Sequence, residues 1–130
     1  MLLIDTNVLA WLLEDNPKLG ALTRQLLGHE ETIHMSVASI WEARLKQRRH
    51  GNFDIDGYER FVSSGALELI PLQGDHVETM HTHRSSIHHN DPFDLVVIAV
   101  AIHEGMTLVT SDQTIIDLKV SGLTVLDSRI

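Results

Sequence analysis

The stretch HHNDPFDLVVIAVAIHEG, residues 88–105, decides how the rest of the chain is read. Its segment Leu95-Val96-Val97-Ile98 would suit a buried strand, and periodicity alone does not separate that from a buried helix. The flanks decide. Asp91 is a favoured N-cap, Pro92 falls in the first helical position, where a missing N–H costs nothing, and Gly105 suits the stop. A helix over Pro92–Glu104 is predicted, and it raises a question. Asp94 stands one turn in, at the head of the apolar run Leu95–Ile102, and a buried-facing carboxylate is costly unless something positive neutralises it.

Outward from this helix, short β-type runs alternate with helical stretches. Strands are predicted at Leu2–Ile4, Thr32–Met35, Leu67–Ile70, Thr107–Val109 and Thr124–Leu126. Helices are predicted at Asn7–Glu14, Lys18–His29, Val37–His50, Ile55–Ser63, Asp75–His83, Pro92–Glu104 and Gln113–Lys119. Such alternation implies right-handed βαβ units: a three-layer α/β/α fold with a short, mainly parallel five-stranded sheet covered by helices on both faces. Gly51-Asn52 and Gln73-Gly74 read as loops and not as linkers, so residues 1–130 are expected to form a single domain.

Composition sets the class. With 130 residues and 43% apolar content, the chain can bury one ordinary core. Leu95–Ile102, its longest apolar run, is far too short for a bilayer span, and Met1 leads into Leu-Leu-Ile-Asp without a basic n-region. No membrane association and a cytoplasmic location are expected. The absence of cysteine excludes disulfides and thiolate zinc sites. Ten basic against eighteen acidic side chains give a net charge of −8, a poor global match for a polyanion. Arg44, Lys46, Arg48 and Arg49 are nevertheless concentrated on one short stretch, where a polyanion would approach.

The acids explain Asp94. Asp5 ends the first strand in LLIDTN, and Asp112 follows the fourth in LVTSD, so both belong at the carboxyl edge where open parallel sheets bind ligands. Asp94 begins the helix leading into that fourth strand, and Glu42 sits early in the helix after the second. Each has a plainer reading. Asp5 and Asp112 suit N-caps, Asp91 is mainly a cap, Asp94 could complement a helix dipole, and Glu42 could pair with Lys46 on an exposed face. Four acids at one edge, however, repel one another unless a cation sits among them. Hard oxygen donors without cysteine suit one or two Mg²⁺ or Mn²⁺ ions, which activate water and stabilise charge on phosphate oxygens.

Four ordered segments carry a family resemblance: LLIDTNVLAWLLE at the N-terminus, SVASIWEARLK at 36–46, NDPFDLVVIAVA at 90–101 and LVTSD at 108–112. Together they resemble the PIN domain, and more narrowly the VapC toxins of type II toxin–antitoxin systems. The resemblance implies a metal-dependent ribonuclease with Asp5, Glu42, Asp94 and Asp112 as catalytic, metal-holding acids and Thr6, Asn7 and Thr110 as polar support. It also implies a structured cellular RNA as substrate, a VapB-type antitoxin that inserts a C-terminal segment into the groove, and a homodimer. Many relatives carry basic residues where this chain has Asn90, Leu95 and Ser111, and an aromatic near Ile115 or Ile116.

Lys46 and Arg49, at i+4 and i+7 from Glu42, share its helical face and are candidate contacts to RNA phosphates; a solvated face is the alternative. Arg44 and Arg48 form a separate stripe that could meet phosphate or an acidic antitoxin residue. His81, His83, His88 and His89 suggest a Zn²⁺ or Ni²⁺ site, but their spacing favours structural or surface roles. Trp11 and Trp41 are expected in core or interface packing. Two other functions compete with the ribonuclease: a degenerate PIN-like module that only binds a partner, and an aspartate-dependent phosphatase. The latter wants a second acid two residues beyond Asp5, where this chain has Asn7.

Overall fold

The computed structural model describes residues 1–50, 53–88 and 91–130. Its strands are β1 (Leu2–Ile4), β2 (Ile33–Ser36), β3 (Leu67–Ile70), β4 (Thr107–Thr110) and β5 (Thr124–Asp127). They form one sheet in the order β3-β2-β1-β4-β5, with every neighbouring pair parallel. The sheet grows in one direction from β1 to β3, then reverses to β4 and β5 on the other side. β1 and β4 therefore flank the topological switch point, outside whose carboxyl ends parallel sheets bind ligands.

Among the described residues seven helices cover the sheet: α1 (Thr6–Leu13), α2 (Ala21–Gly28), α3 (Val37–His50), α4 (Ile55–Ser63), α5 (Gly74–Thr82), α6 (Pro92–Glu104) and α7 (Gln113–Ile116). The period-two alternation of β1 and β4 splits the core in two. Ile4 and Val109 pack with Val8, Leu9, Leu27, Met35 and Leu67 on one face. Leu3 and Leu108 pack with Ile98, Val100 and Ile115 on the other. Both faces are buried, which is why the strands read as near-continuous apolar runs.

The deciding stretch is a helix with the expected ends. The Asp91 side chain accepts the Phe93 N–H at 2.9 Å, proline follows the cap, and Gly105 closes the helix in the left-handed conformation at φ 66°. Val97 to Ala101 are all buried, so α6 is an interior helix and not an amphipathic surface one.

The differences are local. The second helix begins at Ala21, not Lys18, because the Asn16 side chain accepts the Lys18 N–H at 2.9 Å and the Gly20 N–H is drawn to the Ser128 carbonyl at 2.9 Å. Gly20 is required there: a Cβ would overlap the Ile130 carbonyl. α7 stops at Ile116 instead of reaching Lys119. Gln73-Gly74 opens α5 and is not a loop, since Gln73 is its N-cap: His76 Nδ1 accepts the Gln73 N–H at 3.0 Å and the Gln73 carbonyl accepts the His76 N–H at 3.1 Å. The second strand is shifted by one residue and runs through Ser36, while the fourth and fifth each gain a final residue. Gly51-Asn52 lies outside the described residues.

Candidate active site

A pocket of about 120 Å³ opens at the carboxyl edge of the sheet. Asp5, Glu42, Asp94 and Asp112 all line it, with Thr6, Asn7 and Lys46. Each arrives by a different route. Asp5 follows β1 and caps α1, accepting the Val8 N–H at 3.1 Å through Oδ1. Its Oδ2 accepts the hydroxyl of Thr110, the last residue of β4. Asp112 caps α7 by accepting the Thr114 N–H at 2.8 Å. Glu42 reaches in from α3, where Thr6 Oγ1 lies 2.6 Å from its Oε1 and 3.1 Å from the Ser39 carbonyl. Asp94 enters from the first turn of α6.

The plainer readings are thus partly realised. Asp5, Asp91 and Asp112 do cap helices, yet capping leaves all three on the pocket wall, so Asp91 joins the four acids there. Glu42 does pair with Lys46, at 3.7 Å, but its side chain is only 17% exposed, so it is no solvated surface acid.

Electrostatics mark Asp5. Its carboxyl is pushed up to about 6, chiefly by burial and also by the negative charges of Glu42 and Asp112, against the opposing hydrogen bonds from Thr110 and Val8. A buried acid amid like charges binds a proton or another cation more tightly than it would in water. The donor set is oxygen alone, from carboxylates, hydroxyls and an amide, which fits Mg²⁺ or Mn²⁺. Among the described residues, no three of these acids bring oxygens within 4.8 Å of one another. An ion that binds through one or two carboxylates and keeps its other positions for water suits that spacing.

The trio that does meet this distance lies elsewhere: His76, His103 and Glu104, where α5 packs on the end of α6. His76 is fully buried, its Nδ1 accepts the Gln73 N–H at 3.0 Å, and its Nε2 lies 2.9 Å from Glu104 Oε1. With Nδ1 accepting, the ring proton belongs on Nε2 and points at Glu104. A metal there would have to displace that proton, so the trio is a helix-to-helix clamp. Sequence reading passed over His76 because its partner lies 28 residues away. Of the histidines it singled out, His83 is the C-cap of α5 and His89 lies outside the described residues, as does Asn90.

Two further placements bear on the expectations. Arg49 lines a separate depression with Leu45 and Arg48, away from the acids, whereas Lys46 lines the acidic pocket. Of the two places expected for Trp41, the core is excluded and an interface stays open: it is 61% exposed and stands edge-on to Phe93 with ring centroids 5.2 Å apart. It belongs to an apolar face with Val37, Leu72, Pro92 and Val96. Trp11 is half-buried against the α1 side of the core.

A parallel α/β sheet with acids gathered beyond its switch point defines an α/β protein with an acidic carboxyl-edge site. The chain belongs to the PIN domain family, whose profile matches residues 2–120. No curated protein sequence matches it. Solved structures share the fold at low identity. One is VapBC2 from Rickettsia felis bound to a DNA fragment from its promoter, at 18% identity and a TM-score of 0.73 over 96% of each chain. Another is FitAB bound to an IR36 DNA fragment, at 18% identity and a TM-score of 0.74, covering 100% of this chain and 96% of that one. DNA-bound VapBC from Salmonella typhimurium matches at 14% identity and a TM-score of 0.72 over 96% of each chain.

Proposed function

We propose that this PIN domain is a Mg²⁺- or Mn²⁺-dependent endoribonuclease acting as the toxin of a VapBC-type pair. The observation that carries the reading is the arrival of four acids from four separate elements in one pocket. When bound, the divalent ion supplies Lewis-acid stabilisation of phosphate-oxygen charge and a more acidic water. Asp5, Glu42, Asp94 and Asp112 would hold it, directly or through the water it carries. Thr110 and the Val8 N–H fix the Asp5 carboxylate, and Thr6 fixes Glu42, so the acids meet substrate already oriented. Lys46 supplies the positive charge for a phosphate oxygen beside the scissile bond. In the overall reaction water adds to phosphorus, one P–O ester bond breaks, and the leaving oxygen takes up a proton.

Two partners accompany this reading. An antitoxin would occupy the acidic groove and hold the enzyme silent, and a second copy of the chain would cover the apolar face around Trp41. The similarity to the VapBC and FitAB structures supports an antitoxin partner. No helix among the described residues is long and apolar enough to cross a membrane.

The test is cleavage of a structured RNA by purified protein. Activity with Mn²⁺, its loss with EDTA and its loss in Asp94→Asn are expected. Equal cleavage in EDTA, or by Asp94→Asn, would overturn the proposal.

A further inference from the structure

A second depression, of about 200 Å³, continues directly from the acidic pocket. Thr6, Asn7 and Lys46 line both. Beyond this shared rim the walls change character. Ala10 of α1 and Ala43 of α3 contribute small side chains, Phe53 contributes an aromatic ring, and Gln47 and Glu14 contribute an amide and a carboxylate. Small residues leave room for a flat ring, and an aromatic wall gives it a stacking surface, the usual way proteins hold an unpaired base.

Glu14 is the informative residue. It is the C-cap of α1, where a negative charge opposes the helix dipole and so weakens the helix. Its Oε1 accepts from Asn16 Nδ2 at 3.1 Å, which fixes the exposed carboxylate in place. An acid that violates a local rule at the rim of a groove is the pattern expected of a functional group. A carboxylate also discriminates among bases. Guanine presents two adjacent donors, N1–H and the N2 amine, on its Watson–Crick edge. Adenine and cytosine each place a ring-nitrogen acceptor beside their amine, and uracil flanks its one N–H with carbonyl oxygens, so each would turn lone pairs toward Glu14.

We propose that this groove is a guanine subsite for the nucleotide next to the scissile phosphate. Glu14 accepts from N1–H and the N2 amine, the Gln47 amide donates to O6, Phe53 flanks the ring, and Lys46 bridges to the phosphate in the acidic pocket. The inference rests on the ribonuclease reading and adds the base that the enzyme selects.

The experiment uses short single-stranded RNAs that differ at one position, carrying guanine, inosine or adenine beside one cleavable bond, with Mn²⁺. The expected result is a kcat/KM about tenfold or more higher for guanine than for adenine. Inosine, which lacks the N2 amine, should fall between them. Glu14→Gln should bring the guanine-to-adenine ratio close to one, lowering the guanine rate and raising the adenine rate as the repulsion between the carboxylate and the adenine lone pair is lost, and Gln47→Ala should lower the guanine rate more than the adenine rate. A wild type without guanine preference, or a Glu14→Gln ratio equal to that of wild type, overturns the subsite. If the protein cleaves neither these RNAs nor a structured RNA, the ribonuclease reading fails. The subsite is then decided by calorimetry, where guanosine monophosphate must bind more tightly than adenosine monophosphate and lose that advantage in Glu14→Gln. Weakened binding of an antitoxin peptide by Glu14→Gln with base preference intact would assign the groove to a protein partner instead, and likewise overturn the proposal.

Discussion

At the scale of the residue, Asp5 concentrates the site's physics. Its carboxyl is raised to about 6 chiefly by burial, so the folded state holds that proton more tightly than the unfolded chain does. Stability from this group is therefore fully present below the unfolded carboxylate range and declines as pH rises toward about 6. In the presence of chelator, the protein should melt at a higher temperature at pH 5 than at pH 7.5, and Asp5→Asn should remove much of that difference. The substitution should also stabilise the metal-free protein at pH 7.5 by about 1–3 kcal/mol while abolishing RNA cleavage. Urea titrations with EDTA at the two pH values measure both effects. Activity should fall with acidification through about pH 6, because protons then compete with the cation for Asp5.

Much of this residue-level placement was legible because each acid adjoins a strand end or a helix start. Asp5 and Asp112 abut β1 and β4, and the register of a parallel sheet carries both to the same edge. Arg49 was not so legible: helical phase put it on the face of Glu42, but two turns along, α3 has already left the pocket. The exposure of Trp41 was equally hidden, since an apolar face looks the same in sequence whether it meets the core or solvent.

At the scale of the element, α6 shows why local signals sufficed. Cap, proline, length and left-handed glycine agree with one another, and their consistency outweighs an apolar run that also suits a strand. The end of α5 shows the opposite. His76 serves as a cap partner and as a clamp to Glu104, a role set by a contact between helices that no local pattern encodes. Replacing it with alanine should leave the Gln73 N–H and Glu104 without this ring and open a cavity, for a loss of about 2–4 kcal/mol in denaturant unfolding. EDTA should not alter that loss; a chelator-sensitive value would mean that a metal sits there after all. The start of α2 depends likewise on a distant segment. Gly20→Ala should cost about 1–3 kcal/mol, because the backbone of Arg129 and Ile130 occupies the space a methyl group needs.

At the scale of the whole molecule, a net charge of −8 sits on a protein proposed to cleave a polyanion. The opposition eases if cations concentrate at the site: Lys46 at the pocket, divalent ions within it, and Arg48 and Arg49 farther along α3. The apolar face bearing Trp41 adjoins the same pocket through Phe93, which lines both. If the proposed homodimer forms through this face, Trp41→Glu should shift it toward monomer in sedimentation, and an unchanged mass would remove that face from the assembly.

All of these expectations descend from one assertion, that mutually repelling carboxylates at the sheet edge are completed by a divalent cation. Isothermal titration of the purified protein with Mn²⁺ tests it most directly. Saturable binding at millimolar concentrations or below is expected, weakened at least about tenfold in Asp5→Asn and Asp94→Asn. No heat of binding in this range, or an affinity untouched by both substitutions, would contradict it.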